Sequence, residues 1–111
     1  MIEVSDEVIE QMVKTIVNEV SPEQIILFGS RAKNQSHPDS DVDLLIIENE
    51  PFGKDRSRKE ETGKLWRALA HFQVPLDILL YSRHEVDYWR DSLNNVVARA
   101  LREGKVLYER P

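Results

Sequence analysis

Four consecutive apolar residues, Leu44-Leu45-Ile46-Ile47, follow directly on Asp41-Val42-Asp43. Successive side chains of a strand point to opposite faces. A strand ending in such a run therefore has no face to offer water, and Asp41 to Ile47 is expected as a strand lying centrally in a sheet.

The remaining elements group around that strand. Val8, Ile9, Met12, Val13, Ile16, Val17 and Val20 recur at helical spacing, with Ser5 as N-cap and Ser21-Pro22 as the stop. Ile25-Ile26-Leu27-Phe28 reads as a second buried strand, and Gly29-Ser30 opens a polar turn and loop through Ser40. After a loop from Glu48 to Gly53, Asp55 to Phe72 is expected as a helix, weakened at Gly63 by about 1 kcal/mol relative to alanine. Val74 to Tyr81 is a third strand. Ser82-Arg83-His84-Glu85 has the form of a capping box, so a helix should follow. Val96, Val97, Ala100 and Leu101 mark another helix, closed by Gly104 as a left-handed cap, with Lys105 to Glu109 as an edge strand. The expected architecture is α+β: one domain over 1–111, a mixed sheet with helices against it.

Composition bounds the functional classes. A chain of 111 residues with 41% apolar and 32% charged residues suits one globular domain. The absence of cysteine removes disulfides, thiolate catalysis and cysteine-held zinc. No apolar run has the length of a membrane span, and no basic-then-apolar leader opens the sequence, so no membrane association and a cytoplasmic location are expected. A net charge of -5 disfavours direct nucleic-acid binding, which normally leaves a basic footprint.

Three features carry the chemistry. Gly29-Ser30 after a strand lets a ligand approach the backbone, and offers amides and a hydroxyl to phosphate oxygens. Asp41 and Asp43, two apart on a strand, project to one face, where paired carboxylates suit a hard divalent cation such as Mg²⁺. Asp77 stands among strand-forming apolar residues, where a charge needs a partner or an edge position. Taken singly, each has an ordinary structural alternative: a turn, a solvated strand mouth, or an ion pair with an arginine such as Arg31.

In order, Gly29-Ser30-Arg31-Ala32, Ser40-Asp41-Val42-Asp43-Leu44 and Asp77 resemble the DNA polymerase β-like nucleotidyltransferases. The phrase Leu27-Phe28-Gly29-Ser30-Arg31-Ala32 and the brevity of the chain resemble its minimal, or MNT, group. The resemblance implies a polymerase β-like palm. It implies that Gly29 and Ser30 touch nucleotide phosphates, with Arg31 on phosphate or a carboxylate. It implies that Asp41, Asp43 and Asp77 converge as metal ligands for two Mg²⁺ ions, Asp77 also helping to deprotonate the acceptor. ATP is the implied donor. MNT proteins resemble the antitoxin of HEPN/MNT pairs, so a HEPN ribonuclease toxin, modified by AMP on a tyrosine, is the implied partner. A small-molecule nucleotidyltransferase of the aminoglycoside type and a non-enzymatic neutralising module are the alternatives. Lys33-Asn34 departs from the Arg-Gly of many relatives.

Other residues carry less. His37, His71 and His84 lack metal-ligand spacing. The run Lys54 to Lys59 reads as a solvated helix face, with a grip on a triphosphate or a partner as the alternative. Trp66, Tyr88 and Trp89 read as core or interface residues rather than a nucleobase platform.

Overall fold

A computed structural model describes residues 4–33 and 41–111. The readings made for Asn34, His37 and Ser40 lie outside the described residues. The element order is α1 (Asp6–Val20), β1 (Gln24–Phe28), β2 (Val42–Glu48), α2 (Arg58–Leu69) with a 3-10 turn at Ala70–Phe72, β3 (Leu76–Ser82), α3 (Arg83–Trp89), α4 (Val96–Glu103) and β4 (Lys105–Glu109). The strands lie in the order β3-β2-β1-β4, with β1 antiparallel to both its neighbours and β2 parallel to β3. The sheet is mixed, and β2 is central as its apolar run requires.

Alternation along β2 divides the interior. Val42, Leu44 and Ile46 face one core with Met12 and Ile16 of α1 and Leu65 and Leu69 of α2. Leu45 and Ile47 face the other with Val86 of α3 and Val97 and Ala100 of α4. Helices therefore cover both faces. Among the described residues no helix is long and apolar enough to cross a membrane.

Local chemistry sets the ends. The Ser5 hydroxyl accepts from Val8 N at 3.2 Å, and Ser21 ends α1 in the left-handed region at φ 48°. The Ser82–Glu85 capping box is formed in both directions, Ser82 N donating to Glu85 Oε1 at 2.9 Å. The expected helix from Asp55 starts later. Ser57 caps it, its hydroxyl accepting from Glu60 N at 3.2 Å.

The basic run before that helix is not a solvated face throughout. Arg56 turns inward and donates from Nη1 to Glu61 at 2.9 Å and from Nη2 to Glu48 at 3.0 Å, its guanidinium 4.4 Å over the Phe52 ring. Arg58 pairs with Glu85 and lies over Phe52 and Tyr81. Lys54 and Lys59 remain exposed. Trp66, Tyr88 and Trp89, at 41%, 73% and 38% exposure, are not core residues. The buried positions of their helices are Leu65, Leu69 and Val86 instead.

Gly104 also departs from expectation. It is extended, at φ -80° and ψ 169°, rather than left-handed. Its glycine is required by closeness, because a Cβ would overlap Ala100 O and Ile26 Cγ2 and lie 3.0 Å from Leu27 O. Two of those atoms are backbone and cannot step aside. Gly104→Ala should therefore cost about 1–3 kcal/mol, as overpacked interiors do. Denaturant titration checks this, and a variant as stable as the parent would contradict the close approach of α4 to β1.

Candidate functional site

The site is assembled at one end of the sheet, where β1 ends and β2 and β3 begin. Phe28 pairs with Asp43 across the antiparallel ladder, and Asp43 pairs with Asp77 across the parallel one. Paired residues of adjacent strands share a face and lie about 5 Å apart at the backbone. Since Leu45 and Ile47 face α3 and α4, Asp43 projects to that same side. Asp77 does so with Leu79 and Tyr81.

Asp77 is accommodated by its edge position. Strand β3 borders the sheet and the side chain is exposed, so the expected conflict between charge and an apolar interior does not arise. Asp41 is exposed immediately before β2, at the mouth of the site. Asp43 lies deeper. Burial pushes its carboxyl above the ordinary carboxylate range, and the negative charges of Asp77 and then Asp41 push it further. The three acids thus share one end of the sheet and one electrostatic neighbourhood. Among the described residues no three His, Cys, Asp or Glu side chains form a ready-made ion cage.

The turn after β1 closes on this carboxylate. Gly29 has φ 76°, a conformation that favours glycine, and a Cβ there would overlap Asp43 Oδ2. One residue type therefore satisfies two demands, the backbone turn and the room for Asp43. Ser30 and Arg31 follow, half-buried, and Lys33 N donates to Ser30 O at 3.2 Å. A cleft of about 300 Å³ opens here, lined by Phe28, Gly29, Ser30 and Lys33 from the turn and by Val96, Arg99 and Glu103 from α4. The α4 residues had no motif to mark them. Only the docking of that helix on β1 brings them beside Gly29.

A second charged cleft, of about 330 Å³, includes Glu48, Arg56, Glu61 and Lys64. It lies five residues further along β2 from Asp43, about 17 Å away, so it is not part of the carboxylate site. Glu48 is buried there with a carboxyl raised to about 7. Burial is the main cause and Glu61 adds to it, against the opposing pull of Arg56.

The donor set around Asp43 is one of hard oxygens, which suits Mg²⁺ rather than a softer metal. The crowding that raises the Asp43 carboxyl is negative charge that a cation would offset. On both counts the residues present fit a divalent metal.

Residues 10–111 match the family model described as Polymerase beta, Nucleotidyltransferase. Among solved structures, one similar chain is a Sulfolobus solfataricus protein provisionally described as a nucleotidyltransferase. It shows 16% identity and a TM-score of 0.59, with 94% of this chain and 79% of that one covered. A chain from a toxin–antitoxin crystallised with AMP-PNP shows 22% identity and a TM-score of 0.56, with 91% and 73% covered. A mutant of the toxin–antitoxin MntA-HpeT gives 21% identity, a TM-score of 0.52 and the same coverage. At these identities the structures share the fold. No curated protein matches. The family model spans nearly the whole chain, and this protein belongs to the polymerase β nucleotidyltransferase family.

Proposed function

We propose that this chain is the antitoxin of a HEPN/MNT pair, transferring AMP from ATP to a tyrosine hydroxyl of its HEPN toxin. The observation that carries the reading is the register of Asp43 with Asp77 on one face, with Gly29 closed against Asp43. In this reading Gly29, Ser30 and Arg31 bind the triphosphate, and Asp41, Asp43 and Asp77 are the catalytic and metal-binding acids. The toxin–antitoxin neighbours, one of them crystallised with AMP-PNP, support a protein partner and an adenine donor. The resemblance of Leu27 to Ala32, with the brevity of the chain, to MNT proteins is what suggests a HEPN identity for that partner.

The tyrosine oxygen attacks the α-phosphorus. A new P–O bond forms, the bond from that phosphorus to the bridging oxygen breaks, and pyrophosphate leaves. In this reading Asp77, which is exposed at the sheet edge, takes the acceptor's proton. Asp43 and the turn hold the phosphate end in line. Bound Mg²⁺ supplies the positive charge that lets phosphates and carboxylates share one space.

Incubation with α-labelled ATP, Mg²⁺ and a candidate HEPN protein tests the reading. Label on a partner tyrosine is the expected result. Label on an aminoglycoside without any partner would replace it with the small-molecule reading. Neutralisation of the toxin by an Asp41→Ala/Asp43→Ala double variant would replace it with a contact-only antitoxin.

A further inference from the structure

Helix α4 forms the wall of the cleft beside Gly29 and Ser30 and lies on the face to which Asp43 and Asp77 project. Two basic side chains line that cleft, Lys33 from the turn and Arg99 from the helix. Lys33 Nζ is 3.2 Å from Glu103 Oε2, each side chain 42% exposed. Among the described residues Arg99 has no such ion pair. Arg99 and Glu103 are one turn apart on α4, so they share a helix face.

We propose that Arg99 and Lys33 form a polyphosphate clamp opposite the Gly29-Ser30 turn, and that Glu103 is the counter-ion displaced from Lys33 when a nucleoside triphosphate enters. This rests on the nucleotide-transfer reading and adds to it the residues that distinguish a triphosphate from a monophosphate. An exposed ion pair contributes little to stability. Exchange of one carboxylate for a more highly charged phosphate chain therefore costs the fold little and gains charge-assisted hydrogen bonds. Arg99 presents a planar fork that suits two phosphate oxygens. Glu103 lowers the affinity of the empty cleft for anions generally, so a ligand must carry enough charge to displace it.

Calorimetric titration of the full chain with α,β-methylene-ATP and with AMP, both in Mg²⁺, tests the clamp without turnover. Arg99→Gln should weaken α,β-methylene-ATP about tenfold while leaving AMP within about twofold. Glu103→Gln should strengthen α,β-methylene-ATP about threefold or more. Both positions are exposed, and melting curves will show that the variants fold. If the wild-type chain binds the triphosphate and Arg99→Gln binds it equally well, the clamp is wrong and the transfer reading stands. Equal weakening of AMP and the triphosphate, or weaker triphosphate binding by Glu103→Gln, would also overturn the clamp. A wild-type chain that binds neither nucleotide overturns both.

Discussion

Asp43→Asn should reduce nucleotide transfer at least a hundredfold, and in metal-free buffer at neutral pH it should raise Tm. The first effect follows from the proposed role. Asparagine keeps the shape but removes the charge that would hold a cation against the phosphates, and such electrostatic contributions to a transition state are worth several kcal/mol. The second follows from the raised carboxyl of Asp43, caused by burial and then by Asp77 and Asp41. A group whose folded-state pKa is raised stabilises the fold fully below its unfolded value, and that contribution is lost as pH rises through the folded value. As pH rises above the ordinary carboxylate range, ionising Asp43 therefore costs stability that asparagine does not lose. Melting curves from pH 4 to pH 8 in EDTA should show the variant's advantage growing as pH rises. Wild-type turnover, or a variant less stable than the parent at pH 7, would contradict the assignment. Activity and stability are opposed at this residue, as expected where a site holds like charges together.

Glu48→Gln should produce the largest change in the pH profile of stability, by a mechanism remote from transfer. The Glu48 carboxyl is raised to about 7 from an ordinary value of 4.5. By the same sign rule, its contribution is complete below about pH 4.5 and is lost as pH climbs through about 7. Between pH 5 and pH 8 the wild-type chain should lose on the order of 2 kcal/mol that the variant keeps. Glutamine retains an oxygen for Arg56 and gains an amide to donate towards Glu61. The partners are thus preserved while the ionisable group is removed. Urea titrations of both proteins at pH 5, 6, 7 and 8 give the comparison. Parallel profiles would show that Arg56 holds Glu48 ionised throughout. Transfer per folded molecule should be unchanged, because Glu48 sits at the opposite end of β2 from Asp43.

Much of the fold was readable because its signals are local. Ser5, Ser82 with Glu85, and the double-faced apolar run of β2 each specify structure over a few residues, and each stands where the spacing placed it. The departures occur where distant contacts decide. Arg56 and Arg58 look like a charged helix face, but Glu48 and Glu85 arrive from other elements and, with Glu61 of α2, draw them inward. Gly104 does stop α4, but in extended rather than left-handed form, because the room it needs is set by Ala100 O together with Ile26 and Leu27 of β1. The same division holds at the site. The nearness of Asp41 to Asp43 follows from their spacing in sequence, although Asp41 stands just before β2 rather than in it, whereas the alignment of Asp43 with Asp77 depends on how the α2 crossover sets a parallel register. Arg99 and Glu103 had no legible role, because helical spacing says nothing of which strand a helix will lie against.

Asp77 belongs to the outermost strand of the sheet rather than to an enclosed pocket. In the proposed transfer, a reactant would reach it laterally, as one residue on a body far larger than this chain. Selection would then depend less on the size of what arrives than on how accurately a second surface presents one hydroxyl to that border. The proposed reaction would thus make little demand on the bulk of its acceptor and would leave the choice of target to the fit between two folded proteins.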